Sequence, residues 1–228
     1  MAKSTKENDD VIVDVEEVYS KTEDFIEKNK KPIVSITIAV VLLAGLFYAY
    51  KTMYLAPLQE EAEGEMFAAE QYFEKDSVEK AVFGDGSHLG FIDIVESYGS
   101  TKAGNLAHYY LGISYLKMQK YEEAIDALND FSSDDIILGS VALGAIGDAN
   151  MELGNTEDAI SHYKKAANRD PNNFITPVYL MKAAQSLEEL NNYKEALALY
   201  KQIKEDYAES QEGRQIDKYI AKAESFVN

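Results

Sequence analysis

The side chains best suited to chemistry in this sequence are three histidines, one glycine-rich segment and several carboxylate clusters. His88, His108 and His162 fall on separate elements, and no pair has the i, i+4 metal spacing with a carboxylate partner. Structural roles are expected for all three. Gly84, Gly86 and Gly90 punctuate the segment GDGSHLG. No strand-like run precedes it and no Gly-Lys-Ser or Gly-Lys-Thr occurs in it, so it reads as a loop rather than a phosphate cradle. Glu60, Glu61, Glu63 and Glu65 lack the spacing and turn glycine of a calcium loop and read as a solvated helix face. The sequence contains no cysteine, hence no thiolate nucleophile, disulfide or thiolate metal site. This inventory points away from an enzyme, a metal centre or a cofactor site, and toward binding.

Charge narrows what could be bound. Against 22 Lys and Arg the chain carries 40 Asp and Glu, a formal net charge of -18, which repels a phosphate backbone and argues against nucleic acid. Its 228 residues, 46% hydrophobic, suffice for one domain with appendages.

The elements that must present a binding surface are visible as repeats. His108, Leu111, Gly112, Tyr115, Ala124 and Leu128 form one set. Leu143, Ile146, Gly147, Asn150, Ala159, Tyr163, Ala166 and Pro171 form a second, and Leu180, Ala183, Ala184, Leu187, Ala196, Tyr200 and Ile203 a third. Ala124, Ala159 and Ala196 recur at a period near the ~34 residues of the tetratricopeptide repeat (TPR), which the pattern resembles. Small residues at two places let paired antiparallel helices approach, and large residues fill the remaining gap. Turn signals fall between the paired helices at Gln119-Lys120, Gly154-Asn155 and Asn191-Asn192. The phrases YEEAI, TEDAI and YKEAL open the second helix of each pair.

Flanking segments extend this solenoid. LQEEAEGEMFAAEQYFEK predicts a helix, Ser77 to Phe83 a short one and Phe91 to Ser97 another closed by Gly99, which makes 52–104 a linker and degenerate helical hairpin. The three repeats occupy 105–210. Residues 211–228 carry Ile216, Tyr219, Ile220, Ala223 and Phe226 on one face, as a capping helix at an open end requires.

Upstream, Ile33 to Tyr50 is an uncharged run whose length as a helix, roughly 27 Å, approaches the hydrocarbon thickness of a bilayer. A single transmembrane helix is expected over 32–51. Ser35 and Thr37 can bond back to helix carbonyls, and Phe47, Tyr48, Tyr50 and Tyr54 suit a headgroup layer. Lys21, Lys28, Lys30 and Lys31 precede the run and only Lys51 follows closely, which places the 1–31 tail in the cytoplasm and the solenoid on the far side. A cleaved signal peptide fits less well, because the preceding tail is long and acidic and no small-x-small site follows. In that tail Val11, Val15, Val18, Thr22 and Phe25 trace a stripe that is either one face of a helix or part of a disordered segment. The expected architecture is all-α: one N-terminal transmembrane helix, then a TPR α-solenoid of helical hairpins with a C-terminal capping helix.

In such a solenoid the first helix of each repeat lines the concave side. Counting along those helices gives Leu106, Tyr109, Ile113 and Leu116, then Val141, Gly144, Asp148 and Met151, then Val178, Met181, Gln185 and Glu188. Tyr109, Ile113, Leu116, Asp148, Met151, Met181, Gln185 and Glu188 are the candidate partner-binding residues. The wall is apolar at one end and acidic at the other, without the Lys and Arg clamp that holds a peptide carboxylate. Its apolar members suit contact with apolar segments, or equally packing against the preceding hairpin or the capping helix.

An acidic tail, an anchor entered by Lys30-Lys31-Pro32, and the stretch GNLAHYYLGISYLKMQKYEEAIDAL at the place of a first clear repeat resemble the ancillary SecYEG translocon subunit family of diderm bacteria. The resemblance covers the layout of the whole chain. It implies a non-enzymatic inner-membrane protein with a periplasmic TPR domain. The implied partners are the SecYEG channel and a membrane-anchored periplasmic chaperone, with secreted client chains as further ligands. The rival reading is an adaptor of another cell-envelope assembly complex.

Overall fold

The computed structural model describes residues 15–227, with side chains from Phe25 onward together with Glu23. Every element among these residues is helical. The chain divides into two compact units at Tyr54/Leu55.

In the first unit, helix α1 runs Val15–Ala49 and the backbone continues as π-helix over Tyr50–Leu55. Val11 lies outside the described residues, as do the side chains of Val15, Val18 and Thr22, so of the tail stripe only Phe25 is seen, exposed. An 18-residue window of α1 has a mean hydropathy of 2.3 and none of it is buried. This helix is long and apolar enough to cross a membrane. The Thr37 hydroxyl donates to the Ile33 carbonyl at 2.9 Å, so its polar group is satisfied within the helix. Tyr50 and Tyr54 stack with ring centroids 5.5 Å apart.

The second unit is a chain of helices α2 (Ala56–Glu74), α3 (Val78–Phe83), α4 (Phe91–Tyr98), α5 (Lys102–Lys117), α6 (Tyr121–Asp130), α7 (Ile136–Glu152), α8 (Thr156–Arg169), α9 (Thr176–Glu189), α10 (Tyr193–Asp206) and α11 (Ile216–Val227). The pairs α5/α6, α7/α8 and α9/α10 are antiparallel hairpins, each packed on the next, and α11 covers α10. Capping side chains start several helices. Thr101 Oγ1 accepts from the Gly104 N–H at 2.9 Å, and Asp135 Oδ1 accepts from those of Ile137 and Leu138 at 2.9 and 2.7 Å. The Asp135 cap begins α7 a full turn before Ser140, where the repeat motif itself starts.

The turns inside the three hairpins are alike. Gln119, Gly154 and Asn191 take φ of 59°, 78° and 57°. Each N–H bonds three residues back, to Leu116, Met151 and Glu188, while the next N–H bonds five back, to Tyr115, Asn150 and Leu187. This is the Schellman ending, which needs one residue in the left-handed region. The same turn closes α2: Asp76 has φ 56°, its N–H reaches the Phe73 carbonyl, and the Ser77 N–H reaches Tyr72. Five residues beyond these four turns stand Ala81, Ala124, Ala159 and Ala196, all fully buried. Seven residues before them stand Ala69, Gly112, Gly147 and Ala184, also buried. The α2/α3 hairpin is thus a repeat in geometry, cut short after Phe83, with α4 packed beside it.

The cap differs slightly from expectation. The α-helix α11 starts at Ile216, after a turn over 207–212 and a 3-10 helix Gly213–Gln215 whose first N–H bonds Ser210 Oγ at 2.9 Å. A Cβ on Gly213 would lie 2.2 Å from the Tyr207 carbonyl oxygen, so the close passage of the chain there requires glycine. Beyond this turn Ile216 and Ala223 bury against Ala196, Tyr200 and Ile203. Ion pairs Lys204–Asp217 (2.8 Å), Lys201–Glu224 (3.2 Å) and Lys222–Glu188 (2.6 Å) flank the seam.

Candidate protein-interaction surface

The predicted surface residues lie on the first helices α5, α7 and α9, and the structure divides them into two groups. Tyr109, Ile113 and Leu116 are half-buried beside the cluster formed by Leu128, Ala142, Ala145 and Ile146. Tyr109 also packs on the rings of Tyr110 and Phe131, and burial pushes its phenol pKa up. Gln185 is exposed, and half-buried Met151 packs on the C-terminal core while accepting the Ser186 hydroxyl at 3.3 Å.

The other three are engaged within the solenoid. Met181 is 9% exposed and belongs to the core. The Glu188 carboxylate pairs with Lys222 of the capping helix, and its second oxygen is buried without a hydrogen-bond partner. Asp148 holds the densest polar group in the repeats. It accepts from the Tyr163 hydroxyl at 2.6 Å and from Lys182 Nζ at 2.6 and 2.8 Å. The same ammonium lies 5.5 Å from the Tyr163 ring centroid and 5.9 Å from that of Tyr179. The two rings stack at 6.3 Å.

Glycines on α7 make this cluster possible. A Cβ on Gly144 would come within 2.0 Å of the Tyr179 ring, and one on Gly147 within 2.5 Å of the Tyr163 ring. Gly139 leaves the space in which the Arg169 guanidinium lies, donating to the Asp135 carbonyl at 2.8 Å and to that of Ser133. Burial, then the hydrogen bond to Asp148, raises the Tyr163 pKa, and burial raises that of Tyr179. Both phenols are therefore held neutral. The chemistry of this arrangement is cohesion: one carboxylate and one ammonium tie α7, α8 and α9 together.

Sequence reasoning placed Asp148 on the surface but missed its partners Lys182, Tyr163 and Tyr179. The glycine–aromatic pairing was legible in Gly147 and Tyr163, which both sit at motif positions. Lys182 carries no periodic signal, because its partner lies one repeat away.

The histidines stay apart. His88 is exposed in the 84–90 loop. His108 is half-buried, and that burial lowers its pKa. His162 places Nδ1 2.9 Å from the Asp158 carbonyl. Among the described residues no three His, Asp or Glu side chains are grouped to hold a metal ion.

Known proteins match this reading of the fold. The family profile described as "Tetratricopeptide repeat" matches residues 109–174 and 145–211. Tetratricopeptide repeat protein 29 of Macaca fascicularis is 31% identical over 108 residues, 45% of this chain; the chain spans 22% of that relative's length. Among solved structures, the TPR-like repeats of a kinesin light chain from Podosopora anserina superpose with a TM-score of 0.54 at 12% identity, covering 74% of this chain and 88% of that one. MamA protein superposes with a TM-score of 0.54 at 15% identity, covering 73% and 92%. At these identities the structural likeness shows the fold alone: an all-helical, TPR-type solenoid. Tetratricopeptide-repeat proteins, whose profile matches within 109–211, are typically non-enzymatic scaffolds that bind other proteins.

Proposed function

We propose that this chain, whose residues 109–211 are tetratricopeptide repeats, is a membrane-anchored scaffold that holds a partner protein next to the bilayer and catalyses nothing. The observation that carries the proposal is the exposure of α1. From Ile33 to Tyr48 every side chain is exposed, including Leu42, Leu43, Leu46 and Phe47 at 62 to 68%. Water does not tolerate such a surface, whereas a bilayer requires it. The lysine bias around the run supports a cytoplasmic N-terminus and a solenoid on the far side, which in a diderm bacterium is the periplasm. Anchoring confines the repeats to a layer beside the membrane, so weak individual contacts suffice for capture.

The partner-facing side is the wall of first helices, with Tyr109, Ile113, Leu116, Met151 and Gln185 as its accessible members and Asp148, Met181 and Glu188 supporting them from within. The layout of tail, anchor and repeats favours a place beside the SecYEG translocon, with a membrane-anchored periplasmic chaperone or secreted clients as the captured partner. A different envelope-assembly complex is the other place such a scaffold fits. Purification of the full-length protein from its native membrane in mild detergent, with mass spectrometry of bound proteins, tests this. SecY, SecE or SecG recovered with a chaperone supports the translocon reading. A different envelope complex in their place overturns that reading and leaves the anchored scaffold, and recovery in the soluble fraction overturns the anchor.

A further inference from the structure

At the C-terminal end of the solenoid an open groove of about 600 Å³ runs between the start of α9 and the turn that links α10 to α11. Its apolar members are Phe174, Val178, Tyr207 and Ala208. Phe174 is 83% exposed, more than any other large hydrophobic side chain among the described residues. Its backbone is fixed: the N–H groups of Phe174 and Ile175 both donate to Asn172 Oδ1, at 3.0 and 2.8 Å. The facing turn is fixed as well, with the Ser210 hydroxyl donating to the Tyr207 carbonyl at 2.8 Å and accepting from the Gly213 N–H. The ring is thus displayed by a structured loop.

Four carboxylates, Glu205, Asp206, Glu209 and Glu212, share that groove. Among the described residues none of them has a cationic side chain within ion-pair distance. Lys204 points to Asp217 and Lys201 to Glu224 of the cap instead. The groove therefore combines an accessible aromatic floor with uncompensated negative charge, and a ligand that satisfies both must be cationic with an apolar side chain between its charges.

We propose that this groove docks a short basic segment of a partner protein, in which Lys or Arg side chains flank at least one large apolar residue. The apolar residue packs on Phe174 and Tyr207, and the flanking cations meet the four carboxylates. The groove meets the wall of first helices at Val178 of α9, and the rest of its lining comes from the two connections, 173–174 and 205–212. An anionic bilayer or a nucleic acid is repelled by the same carboxylates.

The test uses the full-length protein in mild detergent and a fluorescein-labelled peptide alternating lysine with leucine, read by fluorescence anisotropy. Two groove variants are compared with a control of equal charge change: Phe174→Ser, the pair Glu209→Gln and Glu212→Gln, and the remote pair Glu122→Gln and Glu123→Gln on the exposed face of α6. The proposal predicts about tenfold weaker binding for each groove variant, close to 1.4 kcal/mol, and less than about twofold for the control pair. All substituted residues are exposed or half-buried, so unfolding midpoints stay unchanged and loss of binding is not loss of fold. Equal weakening by the groove pair and the control pair overturns the proposal, because attraction is then to net charge alone. Unchanged binding in Phe174→Ser overturns it too, and so does a dimer of this chain that Phe174→Ser dissolves, since the groove's occupant is then a second copy.

Discussion

Two helices of this protein carry long apolar stretches and meet opposite fates. The run from Ile33 to Ala49 in α1 is rich in Ile, Val and Leu, and its large side chains are exposed. Helix α7 reads IILGSVALGAIGDANME, and nine of its positions are buried, among them Gly139, Gly144 and Gly147. The difference lies in small residues at chosen places. Each glycine of α7 receives a large group from a neighbouring element: Arg169, Tyr179 and Tyr163. Gly45 of α1 has nothing within 4 Å of where a Cβ would stand. Apolar content alone therefore does not decide burial; sockets shaped for specific neighbours do.

Truncating an aromatic ring in each unit separates the two cases most sharply. Tyr200 is fully buried under the capping helix, while Tyr48 is 69% exposed. Tyr200→Ala is expected to destabilise the solenoid by about 4 kcal/mol in urea or guanidinium titrations, as large-to-small core changes do, and Tyr48→Ala to leave that transition in place. A matched loss for both would mean that α1 is part of the soluble core. Next comes the addition of one methyl group. Gly147→Ala forces the Tyr163 ring to shift and is expected to cost about 2 kcal/mol as overpacking. Gly45→Ala, in open space, leaves the solenoid's midpoint unchanged. The smallest effect belongs to the charge that links α7 to α9. Lys182→Met leaves Asp148 bonded to Tyr163 but unpaired, and is expected to lower stability by about 1 kcal/mol, since both members are partly exposed. The loss shrinks at high salt if it is electrostatic, so a salt-independent loss would assign it to packing over the rings.

The repeats were legible because their signal is periodic. Ala124, Ala159 and Ala196, with the glycines or alanines that face them, set register, hairpin turns and element order directly. The α2/α3 pair was legible as part of a degenerate hairpin, not as a repeat. Its Ala69, Asp76 and Ala81 follow the same geometry as the later repeats, but the large residues that complete the motif are missing once α3 ends at Phe83, so the repeat became visible only through its turn. The extra turn of α7 was signalled by Asp135, a good N-cap that lies outside the motif. For the binding surface the order of difficulty reverses. Which helices form the wall follows from the repeat register, but which side chains remain free on it depends on contacts between repeats. Asp148 and Glu188 looked like open acids on α7 and α9, and they are engaged by Lys182 of α9 and Lys222 of α11, each two helices further along. Distances of this kind are set by three-dimensional packing and leave no mark at a fixed sequence spacing. Phe174 and the acidic turn around Tyr207 likewise belong to two connections that only the fold brings together.

The anchor and its orientation are the central claim, and the absence of native cysteine makes them directly measurable. Single variants Ser4→Cys, in the tail, and Ser161→Cys, exposed on α8, would be treated in whole cells with a membrane-impermeant maleimide after the outer membrane is made porous. The account predicts that Ser161→Cys labels at once, that Ser4→Cys labels only after the inner membrane is broken, and that both stay with the membrane through an alkaline wash. Labelling in the reverse order, or release of the chain by the wash, would contradict it.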